Sequence, residues 1–259
     1  MKKKLTILAA GASLLLVSCS SGTAAPASAV STAQAAPASS VAAAPSEPSA
    51  PPKQTSAQTT VTNADSLETA VEQDVENTLS DLTQKREQLL SQVSTYEAYI
   101  ANADAIEAYY ADLTDSTEQL CIRLREYSLS YAQAVVRSEP EKAYDELDSI
   151  YDVVYDDAGD DLYDEIYDGI LDDLYDDFYD GILDDAYDTA PYKEWSDARS
   201  TEYDLWSDCR SDVYSIISDF RSDTYEFCSD VRTQMWDEDM ERAEKKMAKF
   251  QEKIEKLKQ

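Results

Sequence analysis

Apolar residues recur along 71–131 at spacings of three and four. The series is Val71, Val75, Leu82, Leu89, Val93, Tyr96, Ile100, Ala103, Ile106, Tyr110, Leu113, Leu120, Leu124, Tyr127 and Tyr131, with gaps near Arg86 and Thr117. A mean spacing near 3.5 is the period of a left-handed coiled coil, so this stretch predicts one long helix with an apolar seam. Further on the pattern changes. LYDEIYDGILDD at 162–173 recurs as LYDDFYDGILDD at 174–185, after a weaker copy, IYDVVYDDAGDD, at 150–161. Inside each twelve runs a four-residue unit: apolar, Tyr or Leu, Asp, then an acid or Gly. Four exceeds the 3.6 residues of an α-helical turn, so on an α-helix the apolar stripe drifts by ~40° per unit and circles the axis. One straight partner helix cannot cover such a stripe.

The next period is eleven. WSDARSTEYDL (195–205), WSDCRSDVYSI (206–216), ISDFRSDTYEF (217–227) and CSDVRTQMWDE (228–238) align without gaps. Eleven residues in three turns predict a nearly straight helix. Trp195, Trp206, Ile217 and Cys228, with Ala198, Cys209, Phe220 and Val231, mark its inward face; the eighth position adds Val213 and Met235. Each Arg precedes an aromatic by four residues (Arg199–Tyr203, Arg210–Tyr214, Arg221–Tyr225, Arg232–Trp236), which predicts stacking along one helix. Heptad spacing returns in Met240, Ala243, Met247, Phe250, Ile254 and Leu257, flanked by Arg242 and six lysines from Lys245 to Lys258. Such a basic amphipathic helix suits anionic lipid or acidic helices of its own chain, and the neighbouring acidic segment favours the second. Where it overhangs that segment, 240–258 is expected to self-associate.

After Ala64 the prolines are Pro140 and Pro191. Proline is tolerated in a first helical turn, so both read as helix starts, with Ser138 and Thr189 as N-caps. The expected fold is therefore all-α. Three long helices, about 64–137, 139–188 and 190–258, form an elongated coiled coil or three-helix bundle over 64–259.

The region before them is different. Residues 19–63 are dominated by Ala, Ser, Thr and Pro, including Pro26, Pro37, Pro45, Pro48, Pro51 and Pro52. With so little to build a core, this stretch reads as a disordered tether. Residues 1–18 combine basic Lys2, Lys3 and Lys4 with an apolar run from Leu5 to Val17, too short to span a bilayer. The run ends in Leu16-Val17-Ser18-Cys19, which resembles the lipobox of bacterial lipoproteins. The resemblance covers residues 1–19. It implies removal of 1–18 as a signal peptide and a lipid anchor on Cys19, with palmitate-like acyl chains in the bilayer. Two such chains suffice for stable attachment, at ~0.8 kcal/mol per buried CH₂. The expected location is the cell envelope, either the outer face of a Gram-positive plasma membrane or a Gram-negative outer membrane.

Charge narrows the chemistry. The chain has 53 acidic and 22 basic residues, a net −31, no His and five Gly. His-based acid–base chemistry and His-containing zinc sites are excluded, and phosphate-loop and nucleic-acid binding are disfavoured. Asp152, Asp156, Asp160, Asp164, Asp168, Asp172, Asp176, Asp180, Asp184 and Asp188 form an unbroken i,i+4 ladder. Like charges at this spacing destabilise a helix by ~0.2–0.5 kcal/mol per pair. Ca²⁺, neighbouring basic residues or salt screening must offset that strain, so the ladder is the candidate metal surface, weak and multiple. Tyr151, Tyr155, Tyr163, Tyr167, Tyr175, Tyr179 and Tyr187 repeat in step with it and suit helix interfaces. A ribbon at constant spacing offers no unique pair of carboxylates with split pKa values, so no enzyme is expected. Cys121, Cys209 and Cys228 carry no metal-binding spacing. The functional expectation is a structural, spacer or adhesion module contacting a cell-wall or protein partner through its acidic, Tyr-rich surface. The alternative is a Ca²⁺-responsive surface protein.

Overall fold

The structure is a computed structural model and describes residues 61–259. The proposed signal peptide, Cys19 and the tether up to residue 60 lie outside the described residues. Every element among those described is helical. Helix α1 (Ala64–Leu90) starts at Asn63, whose side chain accepts from the Ser66 N–H at 2.8 Å while the Asn63 N–H donates to the Ser66 hydroxyl at 3.0 Å. This reciprocal pair satisfies two of the donors a helix start leaves open. Helix α2 (Tyr96–Ala101) is capped by Thr95, and α3 (Ala103–Ser138) follows Asn102. The helix expected over 64–137 is thus interrupted at 91–95 and at 102. The breaks reset the seam: Ile100 is 46% exposed, Ala103 is exposed, and Tyr99 turns inward instead. The seam resumes at Ile106, Tyr110, Leu113, Leu120 and Leu124, all buried. Thr117 fills its gap by donating its hydroxyl to the Leu113 carbonyl at 2.8 Å.

Pro140 lies in the turn between α3 and the short α4 (Ala143–Glu146). Ser138 does not cap a new helix; it ends α3 and donates to the Ala134 carbonyl. The Tyr/Asp repeats then form one composite helix. It reads π1 (Ile150–Asp157), α5 (Ala158–Leu162), π2 (Tyr163–Ile170), α6 (Leu171–Leu174) and π3 (Tyr175–Leu183). The Ala158 N–H bonds the Val153 carbonyl and the Leu171 N–H the Ile166 carbonyl, each five residues back. This corrects the expected drift. An i→i+5 bond widens the turn beyond 3.6 residues, and α and π turns together approach four. Every fourth residue then stays on one face: Ile150, Val154, Ala158, Leu162, Ile166, Ile170, Leu174 and Phe178 are all buried. Burying a large apolar side chain is worth about 1.5–3 kcal/mol. Seven such side chains in register, with Ala158 between them, outweigh the poorer bonding of a π turn.

Helix α7 (Tyr192–Trp236) begins after Pro191; Thr189 again turns its hydroxyl back, to the Ala186 carbonyl, and caps nothing. The helix expected over 190–258 is divided at 237–239, where Glu238 adopts φ 57° and Asp239 caps α8 (Met240–Leu257). Helix α8 runs back along α7: Phe250 stacks on Phe227 at 4.0 Å, Lys246 meets Asp230 at 2.6 Å, and Lys253 pairs with Asp223. Its basic face therefore meets α7, and through Lys258 and Glu126 also α3, rather than the Tyr/Asp repeats. Ala243, Met247, Phe250 and Ile254 are buried within the chain. Helix α3 packs against α1, α7 and α8, while the composite helix lies against α7 and α1. Among the described residues no helix is long and apolar enough to cross a membrane.

Candidate functional site

The composite helix and α7 are antiparallel, and their two repeats mesh. Arg232 meets Asp148 at 2.5 Å, Arg221 meets Asp160 at 2.7 Å, Arg210 pairs with Asp172, and Arg199 meets Asp184 at 2.7 Å. The arginines are eleven residues apart and the aspartates twelve. Eleven α-helical residues rise about 16.5 Å and twelve would rise about 18 Å, so regular helices would slip out of register by about 4.5 Å over three repeats. The wider, flatter π turns absorb the twelfth residue. Glycine assists at two equivalent places. A Cβ on Gly169 would stand 3.1 Å from the Asp164 carbonyl oxygen, and one on Gly181 3.0 Å from that of Asp176. Both oxygens belong to the residue five back, which a π turn brings close.

Aromatic rings follow the same lattice. Arg199 lies over Tyr179 at 4.1 Å, Arg210 over Tyr167 at 4.0 Å, Arg221 over Tyr155 at 4.7 Å and Arg232 over Tyr144 at 4.6 Å. The expected stacking on the residue four ahead is thus replaced by stacking across the helix pair. The reason is that the residues four ahead are themselves engaged. Tyr225 packs against Tyr151 and Tyr155, Tyr214 against Tyr163 and Tyr167, and Tyr203 against Tyr179. The Trp206 N–H donates to the Leu171 carbonyl at 2.9 Å and the Trp195 N–H to that of Leu183 at 2.6 Å.

All ten ladder aspartates are exposed. Asp160, Asp172 and Asp184 meet α7 arginines, and Asp168 lies 3.6 Å from Arg210. Asp152, Asp156, Asp164, Asp176, Asp180 and Asp188 point their charge to solvent. A second acidic row turns toward α1, where Arg86 meets Asp173 at 2.8 Å and Asp177 at 2.5 Å. This explains the Arg86 gap in the heptad seam. Burial, with adjacent acids, raises the pKa of Asp157 and Asp161. Among the described residues no group of three or more His, Cys, Asp or Glu is arranged to hold a metal ion.

Two polar clusters escaped the sequence reading. Glu202 is fully buried and accepts hydrogen bonds from the Tyr99 and Tyr110 hydroxyls, each at 2.6 Å. Burial raises its pKa, and the two hydroxyls offset part of that rise. Its signal was present: Glu202 occupies the eighth position of its repeat, where Val213 and Met235 stand in others. The second cluster is Arg125 with Asp223, buried at 3.1 Å, with the guanidinium 5.4 Å from the Phe220 ring centre. Among the described residues the cysteines Cys121, Cys209 and Cys228 are buried and free. Burial pushes the Cys209 thiol up to about 11 and those of Cys121 and Cys228 up to about 12, which leaves them unreactive while folded. Chemically, the ribbon offers a recurring unit of aromatic faces, guanidinium and carboxylate, suited to contact along its length. No protein-family model, curated protein or solved structure matches the chain.

Proposed function

We propose that this protein is a membrane-anchored, surface-exposed bacterial lipoprotein acting as a non-enzymatic structural or interaction module. Acylated Cys19 holds it to the bilayer, residues 19–63 give it reach, and the helical region forms a bundle that presents the acidic Tyr/Asp ribbon to a cell-wall or protein partner. The observation that supports this most is the repetition of one Arg–Asp–Tyr unit along the helix pair with its carboxylates outward. A recurring, outward-facing unit serves contact over length. The test is labelled-palmitate incorporation into the full chain expressed in a bacterium, with protease shaving of intact cells. Label on the chain, lost in Cys19→Ser, together with cleavage at the surface, supports the reading. An unlabelled chain or one protected from protease overturns it.

The second reading is a Ca²⁺-responsive protein. The six ladder carboxylates turned to solvent favour it, since hard cations take oxygen ligands. A saturable rise in melting temperature with CaCl₂, reversed by EDTA and absent with MgCl₂, is its expected mark. A response equal to that with MgCl₂ contradicts it.

A further inference from the structure

The twelve-residue repeat sets two tyrosines four residues apart in each copy: Tyr151 with Tyr155, Tyr163 with Tyr167, and Tyr175 with Tyr179. The three pairs do not pack alike. Tyr175 and Tyr179 stack with ring centres 4.7 Å apart and planes 23° from parallel. Tyr163 and Tyr167 also lie at 4.7 Å, at 32°. Tyr151 and Tyr155 stand edge-on at 85°, 6.4 Å apart. In that first copy Tyr225 of α7 packs on both rings, at 5.4 and 5.7 Å, closer than Tyr214 does in the next copy, at 6.5 and 5.8 Å. All six paired rings are half-buried, so part of each stays open to solvent. Exposed thiols would take an oxidant first, but among the described residues the thiols are buried.

We propose that Tyr163–Tyr167 and Tyr175–Tyr179 are sites of dityrosine formation by a peroxide-driven one-electron oxidant, such as the ferryl haem of a peroxidase. Side chains four residues apart on a helix lie one above the other, so the two phenol ends of a pair point the same way. The Cβ–Cγ torsion of tyrosine is soft, and rotation about it turns the Cε edges of a stacked pair toward each other. The edge-on pair at 6.4 Å must instead move whole side chains. In the reaction each phenol gives up one electron and its hydroxyl proton. The two radicals join through the Cε carbons beside the oxygens, and the two Cε protons move to the oxygens, restoring both hydroxyls. The chain loses two hydrogen atoms per bond, and these reduce one hydrogen peroxide to two waters. Each bond spans one turn inside π2 or π3 and so pins the winding that keeps the two repeats in register. This goes beyond the contact role proposed above and does not depend on acylation.

The test is oxidation of the full chain, dilute enough to keep chains apart, with a peroxidase and limiting hydrogen peroxide. Dityrosine fluorescence and peptide mass mapping read the outcome. The expected result is linkage within one chain at 163–167 and 175–179, severalfold above that at 151–155. Unfolding in urea before oxidation with a photochemical one-electron oxidant should erase the preference, because the three pairs then share one spacing on an unfolded chain. Tyr167→Phe combined with Tyr179→Phe keeps every ring but removes one phenol from each stacked pair. It should abolish most of the fluorescence, with its fold checked by circular dichroism. Linkage at 151–155 equal to that of the other pairs in the folded chain, linkage between chains only, or fluorescence unchanged in the double variant overturns the proposal. So does tyrosine oxidation without dityrosine. A preference that survives urea assigns it to sequence rather than to ring geometry and equally overturns it.

Discussion

Arg221 and Asp160 lie 2.7 Å apart although 61 residues separate them in the chain. The next pair toward the turn, Arg210 with Asp172, is reached by stepping back eleven residues on one helix and forward twelve on the other. The two step sizes agree in space only because the twelve are wound partly as π-helix. Register, charge pairing and ring stacking along the ribbon all depend on that one match.

Glycine substitution tests the winding. In an ordinary helix interior, Gly→Ala gains about 1 kcal/mol. At Gly169 and Gly181 the added methyl would meet a backbone carbonyl at 3.1 and 3.0 Å, and backbone cannot swing aside as a side-chain tip can. Gly169→Ala and Gly181→Ala should therefore each lose about 1–3 kcal/mol, the range found for over-packed sites. Urea denaturation reads the sign, and a gain in stability would mean the turns are ordinary α-helix.

Arg210→Ala removes a partly exposed ion pair and a guanidinium 4.0 Å from the Tyr167 ring centre. Exposed pairs contribute about 0.2–1 kcal/mol and exposed cation–ring contacts about 0.5–1 kcal/mol. The loss should be about 1–2 kcal/mol and should exceed that of Asp172→Ala, which leaves the stacking in place. Equal losses from the two variants would assign the effect to the ion pair alone.

Glu202 sets a pH dependence. Its pKa is raised in the folded state, as are those of Asp157 and Asp161, first by burial in each case. Between the unfolded carboxylate value, about 4.3 for Glu, and the raised folded value, the native chain holds more protons than the unfolded one. Stability must then fall as pH rises through that window, so the melting temperature near pH 5 should exceed that at pH 7. Glu202→Gln keeps a partner for each hydroxyl and removes the buried charge, so it should flatten part of this slope. Glu202→Ala leaves the Tyr99 and Tyr110 hydroxyls unpaired and should lose about 1–3 kcal/mol.

Glu238 holds φ 57° in the turn between α7 and α8. A left-handed backbone costs a non-glycine residue roughly 1–2 kcal/mol. Glu238→Gly should relieve it and raise stability by about 0.5–1 kcal/mol, after the added freedom of the unfolded glycine is subtracted. A loss measured by thermal unfolding would show that the turn depends on the Glu side chain.

Helix content and repeat units were legible because burial imposes periodicity directly. The heptad seam, the four-residue unit and the eleven-residue repeat all reappear as buried faces. What was not legible was pitch. Period four was read on an α-helix of fixed 3.6 residues, which forces drift; the chain instead changes the helix to keep Ile150 through Phe178 on one side. The twelve-to-eleven match was open to counting, but its meaning required knowing that the two segments are antiparallel partners. Breaks were hidden for another reason. Nothing in Asn102 or Glu238 demands an interruption, and only packing of α2 and α8 against other helices selects it. Glu202 was visible as an acid in an apolar column, and its tyrosine partners, at 99 and 110, were too distant in sequence to be assigned.

The central claim is that twelve residues of the composite helix rise as far as eleven of α7. Paired spin labels measure it directly. Asp156 and Asp180 are exposed and 24 residues apart on the composite helix, and Ser200 and Ser222 are exposed and 22 apart on α7. At 1.5 Å per residue of α7, both pairs should show a separation of about 33 Å by double electron–electron resonance, equal to within about 1 Å. A first pair longer than the second by about 3 Å, the value for an α-helix throughout, would contradict the account.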